Sequence, residues 1–367
     1  TNGTLDLDGT LTIAANGTMS CPRGNLTLGA TGTAIDINCT TVADQWIHNS
    51  GKVIIDSSGA HATLLPNGAT FNNVDVDTGS GHDVKLQENL TILGTLDLTG
   101  STDNWIMDAN GAAGDVTLTM GSSTASGTIE SAFDSRFRLN THSSGKCIIQ
   151  GASSLFPCNV TSNDWYWDYG SGAAGTELAN IDFQTDLETH KGGSNTAKIT
   201  LTGDCEFDAV TVSGGDTLDL NGQRMECSGN FTASSGTCNV DFGAGMLIAP
   251  RMNIDSGTYT GEAGASFIVT GSSGGENITF QDSTFTGDST TNILINNGTT
   301  SVDWLNSNDY VGNLIIGSGT YRSLAPYDNR CGNLTIASGG TFEPQDDEIT
   351  VSGDFTTSGG LVNVSAF

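Results

Sequence analysis

Three groups of side chains in this chain of 367 residues have types and spacings that could do chemistry. The first is Trp165-Tyr166-Trp167-Asp168-Tyr169, with four aromatics in five residues. Such rings pair an apolar face with a polar tip and give a sugar ring a surface on which to stack. A strand alternates its side chains between two faces, so it cannot turn all four inward. Trp165, Tyr166, Trp167 and Tyr169 are therefore the candidate glycan-binding residues. The second group is the run from Asp75 to Asp83, whose carboxylates Asp75, Asp77 and Asp83 are candidate ligands for a structural Ca2+ ion. The fit to a calcium loop is partial, because a glycine falls at the fifth position and not the sixth and the closing glutamate is missing. A turn rich in Asp and Gly between strands accounts for the run equally simply. The third group is the cysteines at 21, 39, 147, 158, 205, 227, 238 and 331. No Cys-x-x-Cys pair is present, which argues against zinc.

Catalysis by paired carboxylates needs two acids held a few ångströms apart across a sugar. A polysaccharide lyase needs a base beside calcium-binding carboxylates. Acids are plentiful here, but they are scattered, as in Asp75-Val76-Asp77, Asp182 and Asp346-Asp347, and the arginines do not gather beside them. Gly81-His82-Asp83 is only a fragment of the motifs of pectin-degrading enzymes. No phosphate-binding Gly-x-x-x-x-Gly-Lys-Ser/Thr loop occurs, and the five histidines are dispersed. The sequence assigns no catalytic residue and no cofactor, and the expectation is a protein that is not an enzyme.

The elements that must position these residues are repeats. Gly312-Asn313-Leu314-Ile315-Ile316-Gly317-Ser318-Gly319 recurs downstream as Gly332-Asn333-Leu334-Thr335-Ile336-Ala337-Ser338-Gly339, and again as Gly353-Asp354-Phe355-Thr356-Thr357-Ser358-Gly359. The opening phrase also stands at Gly24-Asn25-Leu26, Glu88-Asn89-Leu90 and Gly229-Asn230-Phe231. A second phrase, Thr-Leu-Asp-Leu, begins at Thr4, Thr95 and Thr217. The interval from Leu218 to Phe231 equals that from Phe342 to Phe355, which predicts the same two strands in the same places on successive turns. A short alternating strand bounded by glycine and repeated about every 20 residues marks a stacked solenoid. Trp46, Trp105 and Trp165 are almost evenly spaced, at close to three such turns, which suggests a superperiod. Such tryptophans serve either as stacking platforms or as anchors that fasten loops to the coil, and the apolar residue after each favours the anchor.

The fold class predicted is all-β, a right-handed parallel β-helix (β-solenoid) of roughly 20-residue turns. Residues 1–130 and 201–367 read as regular turns, and 131–200 as irregular turns or an insertion carrying the aromatic patch, all within one continuous solenoid. Cys21 and Cys39, and Cys205 and Cys227, are separated by about one turn, so each pair could sit on adjacent rungs about 4.8 Å apart, within disulfide reach. Free buried thiols are the equal alternative, and bridges would imply an oxidising compartment.

Charge narrows the partners. With 12 basic against 41 acidic residues the formal charge is −29, and no Lys or Arg cluster exists to hold phosphates. Nucleic acid and anionic membrane are excluded as expected partners, and no apolar run is long enough to cross a bilayer. Neither end carries a polar capping unit, from which the chain is expected to continue into a further segment or a neighbouring subunit.

In the Gly-Asn-Leu-Thr-Ile-x-Ser-Gly phrase and in Ser352–Gly359, the sequence resembles the β-solenoid repeats of phage virion fibres and tailspikes and of bacterial surface adhesins. The likeness covers most of residues 1–130 and 200–367. It implies an extracellular or virion-exposed structural role, a rigid spacer that self-associates as a homotrimer or filament and meets other surface proteins. Three alternatives accompany it: a glycan-binding adhesin or receptor-binding module, a polysaccharide-degrading tailspike-like enzyme, and a self-assembling sheath or surface-layer protein.

Overall fold

The computed structural model describes residues 2–363 apart from 58, 60, 79–81, 100–103, 110–111, 113, 132–135, 142–144, 162–164, 170–173, 190–195, 234–236, 272–275, 287–290, 305–310, 324–328 and 345–348. It is a β-solenoid of parallel stacked coils with almost no helix. Among the described residues the helical content is one turn, Val42–Gln45. The coils fall into two compact units, residues 1–185 with 191–199, and residues 186–190 with 200–367.

In the first unit each coil lays its strands directly over those of the coil before. One column runs Leu5, Leu26, Val53, Val74, Leu96, Ile129, Val160 and Phe183, every step a parallel pairing. From Leu26 onward all are buried, whereas Leu5 on the first strand is 39% exposed. A second stack contains Thr70–Phe71, Leu90–Ile92, Val116–Met120, Cys147–Gly151 and Thr176–Ala179. A third is a separate sheet of seven strands, from Leu11–Ile13 to Trp165–Tyr169. The period of two does the sorting: in Val116–Met120, Val116, Leu118 and Met120 are buried while Thr117 and Thr119 are half-buried on the outside. Burying each such Val, Leu or Ile contributes on the order of 1.5–3 kcal/mol, so a narrow apolar column repeated coil after coil suffices for a core.

The second unit repeats the plan with a column Cys205, Met225, Leu247, Phe267, Ile293, Leu314, Leu334 and Phe355. Its members are buried up to Leu334, and Phe355 on the last coil is 52% exposed. Beside this column an asparagine ladder crosses the rungs. Asn313 Nδ2 donates to Asn292 Oδ1 and Asn333 Nδ2 to Asn313 Oδ1, both at 2.8 Å, and Asp354 N donates to Asn333 Oδ1 at 2.8 Å.

Coil length is not uniform. The steps from Leu96 to Ile129 and from Ile129 to Val160 are each more than half as long again as the step from Cys205 to Met225. The longest coils therefore begin before residue 130, because the extra residues lie at corners, where strand register on the next coil is undisturbed. The equal intervals that end at Phe231 and Phe355 also need correction. Phe231 stacks between Val210 and Met252, whereas Phe355 follows Leu314 and Leu334 in another column, so the Gly-Asn-apolar phrase occupies two different faces. Each face asks only for a corner glycine followed by an alternating strand. Nor is there a tryptophan superperiod: Trp46 pairs with Met19, while Trp105 and Trp165 share a column with Phe137 between them, two coils apart. Trp46 and Trp105 are buried, and Trp46 Nε1 donates to Thr70 O at 2.8 Å with its ring 5.0 Å from Phe71, as an anchor should.

Of the two cysteine alternatives, the structure shows free buried thiols and no disulfide. Cys21, Cys39, Cys205 and Cys227 are free and buried, as are the other four cysteines. Cys205 sits opposite Met225 and Cys227 opposite Phe207, so the two thiols are out of register along their strands. Cys21 follows Met19–Ser20 and Cys39 follows Gly32–Ile37, strands of different sheets, so the interval between them falls short of a full coil. Burial pushes the thiols of Cys21, Cys147 and Cys227 up to about 12 and that of Cys331 up to about 11.

Candidate functional site

A concave feature of the first unit lies where three successive coils leave the seven-stranded sheet. Strand Ala62–Leu65 ends at Pro66, which cannot continue a ladder, and the chain reverses through Asn67 and Gly68 at φ 50° and 77°. The turn closes with Ala69 N donating to Pro66 O at 2.9 Å, and the left-handed backbone explains why Asn and Gly stand there. One coil on, Val84–Leu86 ends at Gln87-Glu88-Asn89; a further coil on, Asn104–Asp108 leads to Asp115. Leu64, Leu86 and Met107 are in register, so the three corners stack. Between them is an open cleft of about 430 Å³, with Leu65 and Ala112 as its apolar wall.

Hydrogen bonds between coils hold each polar side chain of the cleft. Asn67 N donates to Glu88 Oε2 at 2.7 Å, and Asn67 Nδ2 donates to Cys39 O at 3.3 Å. Gln87 Nε2 donates to Asp108 Oδ2 at 2.8 Å, and Asn140 Nδ2 donates to the other oxygen of Asp108 at 2.6 Å. Asn89 Oδ1 accepts from Thr117 N at 2.8 Å, and Asp115 Oδ1 accepts from Lys146 N at 2.9 Å. Burial raises the Glu88 carboxyl above the usual carboxylate range; the Asn67 N–H pulls it back, and the charge of Asp36 pushes it up again.

Comparison with protein-family models, curated proteins and solved structures finds no match. The reading of the site therefore rests on its own geometry.

The residues singled out by sequence fall elsewhere. The backbone of Trp165–Tyr169 forms a strand of the seven-stranded sheet, with Trp165 opposite Phe137 and Tyr166 opposite Arg138; the side chains of Trp165, Tyr166, Trp167 and Tyr169 lie outside what the structure describes. The run at Asp75–Asp83 does not converge. Asp75 is ion-paired with Lys52 at 3.0 Å, Asp77 is exposed, and Asp83 accepts from Asn104 Nδ2 at 2.5 Å and stands 3.3 Å from His61 Nδ1. Among the described residues no group of three His, Cys, Asp or Glu side chains is placed to hold a metal. Sequence reading passed over Asn67, Gln87 and Asp115, and took Glu88-Asn89 only as part of a repeat phrase. Their signal is the spacing of polar corner residues: Asn67 to Glu88 matches the coil step from Leu5 to Leu26, and Glu88 to Asp115 matches the step from Leu26 to Val53.

Proposed function

We propose that this chain is a structural β-solenoid, a stiff scaffold exposed on a virion or cell surface that associates with copies of itself or with neighbouring surface proteins. The observation that carries this reading is the unbroken register of apolar columns within each unit, reinforced in the second by the asparagine ladder. A stack in which strands of successive coils are bonded in parallel, coil after coil, resists bending and local opening, which suits a spacer. The charge of −29 keeps such a surface soluble and disfavours nucleic acid and anionic membrane as partners. No catalytic role is proposed, and screens for reducing ends or unsaturated sugars released from acidic polysaccharides should be blank.

Immunogold electron microscopy of the native particle or cell tests this directly. Label along surface fibres or a surface layer is the expected result, and label confined to the cell interior would overturn it. An adhesin reading has one specific support, that Trp165–Tyr169 belongs to the seven-stranded sheet beside the cleft. Under it, replacing Trp165 and Trp167 by Ala abolishes retention on host glycans, and unchanged retention counts against it.

A further inference from the structure

The outward side chains of the second unit change character along its length. One residue on from the buried column, Glu206 pairs with Glu226 and Glu226 with Ile248; Ile268, Leu294, Ile315 and Thr335 then follow coil by coil. An outward run in the first unit is acidic instead, with Asp75 opposite Asp97 and Asp97 opposite Glu130. Four aliphatic side chains of the second unit thus stand on successive coils on the outside, each half-buried. Two residues back along the same strands runs a further outward column, Met246, Ser266, Asn292, Asn313 and Asn333, which includes the asparagine ladder. Together the two columns make one face across five coils, and none of its ten side chains is charged or aromatic.

That chemistry selects the occupant. A basic partner, to which a chain of −29 is drawn, finds no carboxylate on this face. A sugar finds no aromatic ring on which to stack. A second copy matches in three respects. Its side chains stand in rows with the same repeat of about 4.8 Å, so the rows of two faces stay in step. Carboxamides both donate and accept, so an amide column is complementary to itself. A neutral face is also where two strongly acidic molecules can meet without opposing like charges. A two-fold axis that sets the copies antiparallel lays aliphatic column on aliphatic column and amide on amide, whereas a parallel pair would lay amides on aliphatics.

We propose that two copies of this chain associate antiparallel through this face, with Ile268 of one against Leu294 of the other and Ile248 against Ile315. Five rungs of four-residue strand cover about 24 by 13 Å, less than a standard interface, so the pair is weak and concentration-dependent. The proposal rests on the scaffold reading and names the surface through which the scaffold meets itself.

Sedimentation equilibrium of the full chain tests it. The expected result is a monomer–dimer equilibrium that tightens between about 0.05 M and about 0.5 M NaCl, because salt screens the repulsion between acidic copies. Ile268→Glu and Leu294→Lys should each weaken the dimer about tenfold or more, by placing an unpaired charge in the interface. Mixed together, the two variants should recover the parental affinity, since Glu then faces Lys across the two-fold axis. Ile54→Glu, an outward position in the first unit, should change nothing. The column already carries Glu206 and Glu226, so a charged side chain fits it without unfolding the coil. Circular dichroism checks each variant, and Ile248→Glu with Ile315→Lys replaces the pair if either is unfolded. The proposal is overturned if the parent stays monomeric, if it grows into open chains, if salt weakens the dimer, if both single variants associate as the parent does, or if the mixture gains nothing over either alone. Those failures would leave the surface location, read by immunogold labelling, untouched; label confined to the cell interior would remove the scaffold role and leave the dimer standing.

Discussion

The two units run on the same plan yet differ in what they make of their corners. In the second unit most column steps are 20 or 21 residues, so like positions return over like, and Asn292, Asn313 and Asn333 fall into a ladder. In the first unit the steps range from the short one between Leu5 and Leu26 to the long one between Leu96 and Ile129, so corner residues of successive coils differ in reach and enclose a cleft. Even spacing turns outward polar residues into cross-coil bonds. Uneven spacing turns them into a concavity with unmet hydrogen-bonding capacity. The inward columns are indifferent to this, being apolar and in register in both.

That indifference gives the largest expected effect. Phe267→Ala in the second unit and Trp105→Ala in the first should each cost about 3–5 kcal/mol in denaturant unfolding, since both side chains are fully buried in an apolar column of their own unit. A loss below about 1 kcal/mol in one unit alone would break the equivalence. The outward residues should then separate the units. Asn313→Ala removes a bond from each neighbour in the ladder and should cost about 1–3 kcal/mol, whereas Asn89→Ala removes one bond, to Thr117 N, and should cost about 0.5–1.5 kcal/mol. Equal losses would show that the ladder adds nothing beyond its single bonds.

Smaller effects should follow pH, with opposite signs in the two units. Glu343, in the second, is held below the usual carboxylate range by hydrogen bonds from Arg322 and Asn363. Its contribution is present above the unfolded value near 4.5 and is lost as pH falls through the folded value. Glu88, in the first, is raised, so its carboxyl favours the folded state below about 4.5 and that contribution is lost as pH rises through the folded value. Melting temperature against pH should therefore show Glu343→Gln flattening the acid limb and Glu88→Gln gaining stability at neutral pH. Thiol labelling reports on both units together: the eight buried cysteines should resist a maleimide at pH 8 and all react in guanidinium. Fast labelling of any one without denaturant would locate a coil that opens.

Much of the fold was legible because a solenoid writes its period into the chain. Gly332-Asn333-Leu334 and its copies mark corner, ladder residue and column residue in order, and that local grammar needs no long-range information. What the phrase does not encode is which face it occupies, since Phe231 and Leu334 follow the same glycine into different columns. Coil length was equally hidden, because residues added at a corner leave the strand pattern intact. For the same reason the cysteine spacings misled: the interval after Cys205 carries Cys227 to the next coil but sets it opposite Phe207. The cleft was invisible for a further reason. Asn67, Glu88 and Asp115 are ordinary turn residues until three corners of unequal length are stacked, and their chemistry arises from that stacking.

An experimental density map of the chain tests the central claim, that coils stack in parallel and in register within each unit. It should place Asn292, Asn313 and Asn333 on consecutive rungs about 4.8 Å apart, amide to amide, with their strands running the same way. Neighbouring strands running in opposite directions, or Asn313 lying away from Asn333, would contradict the account.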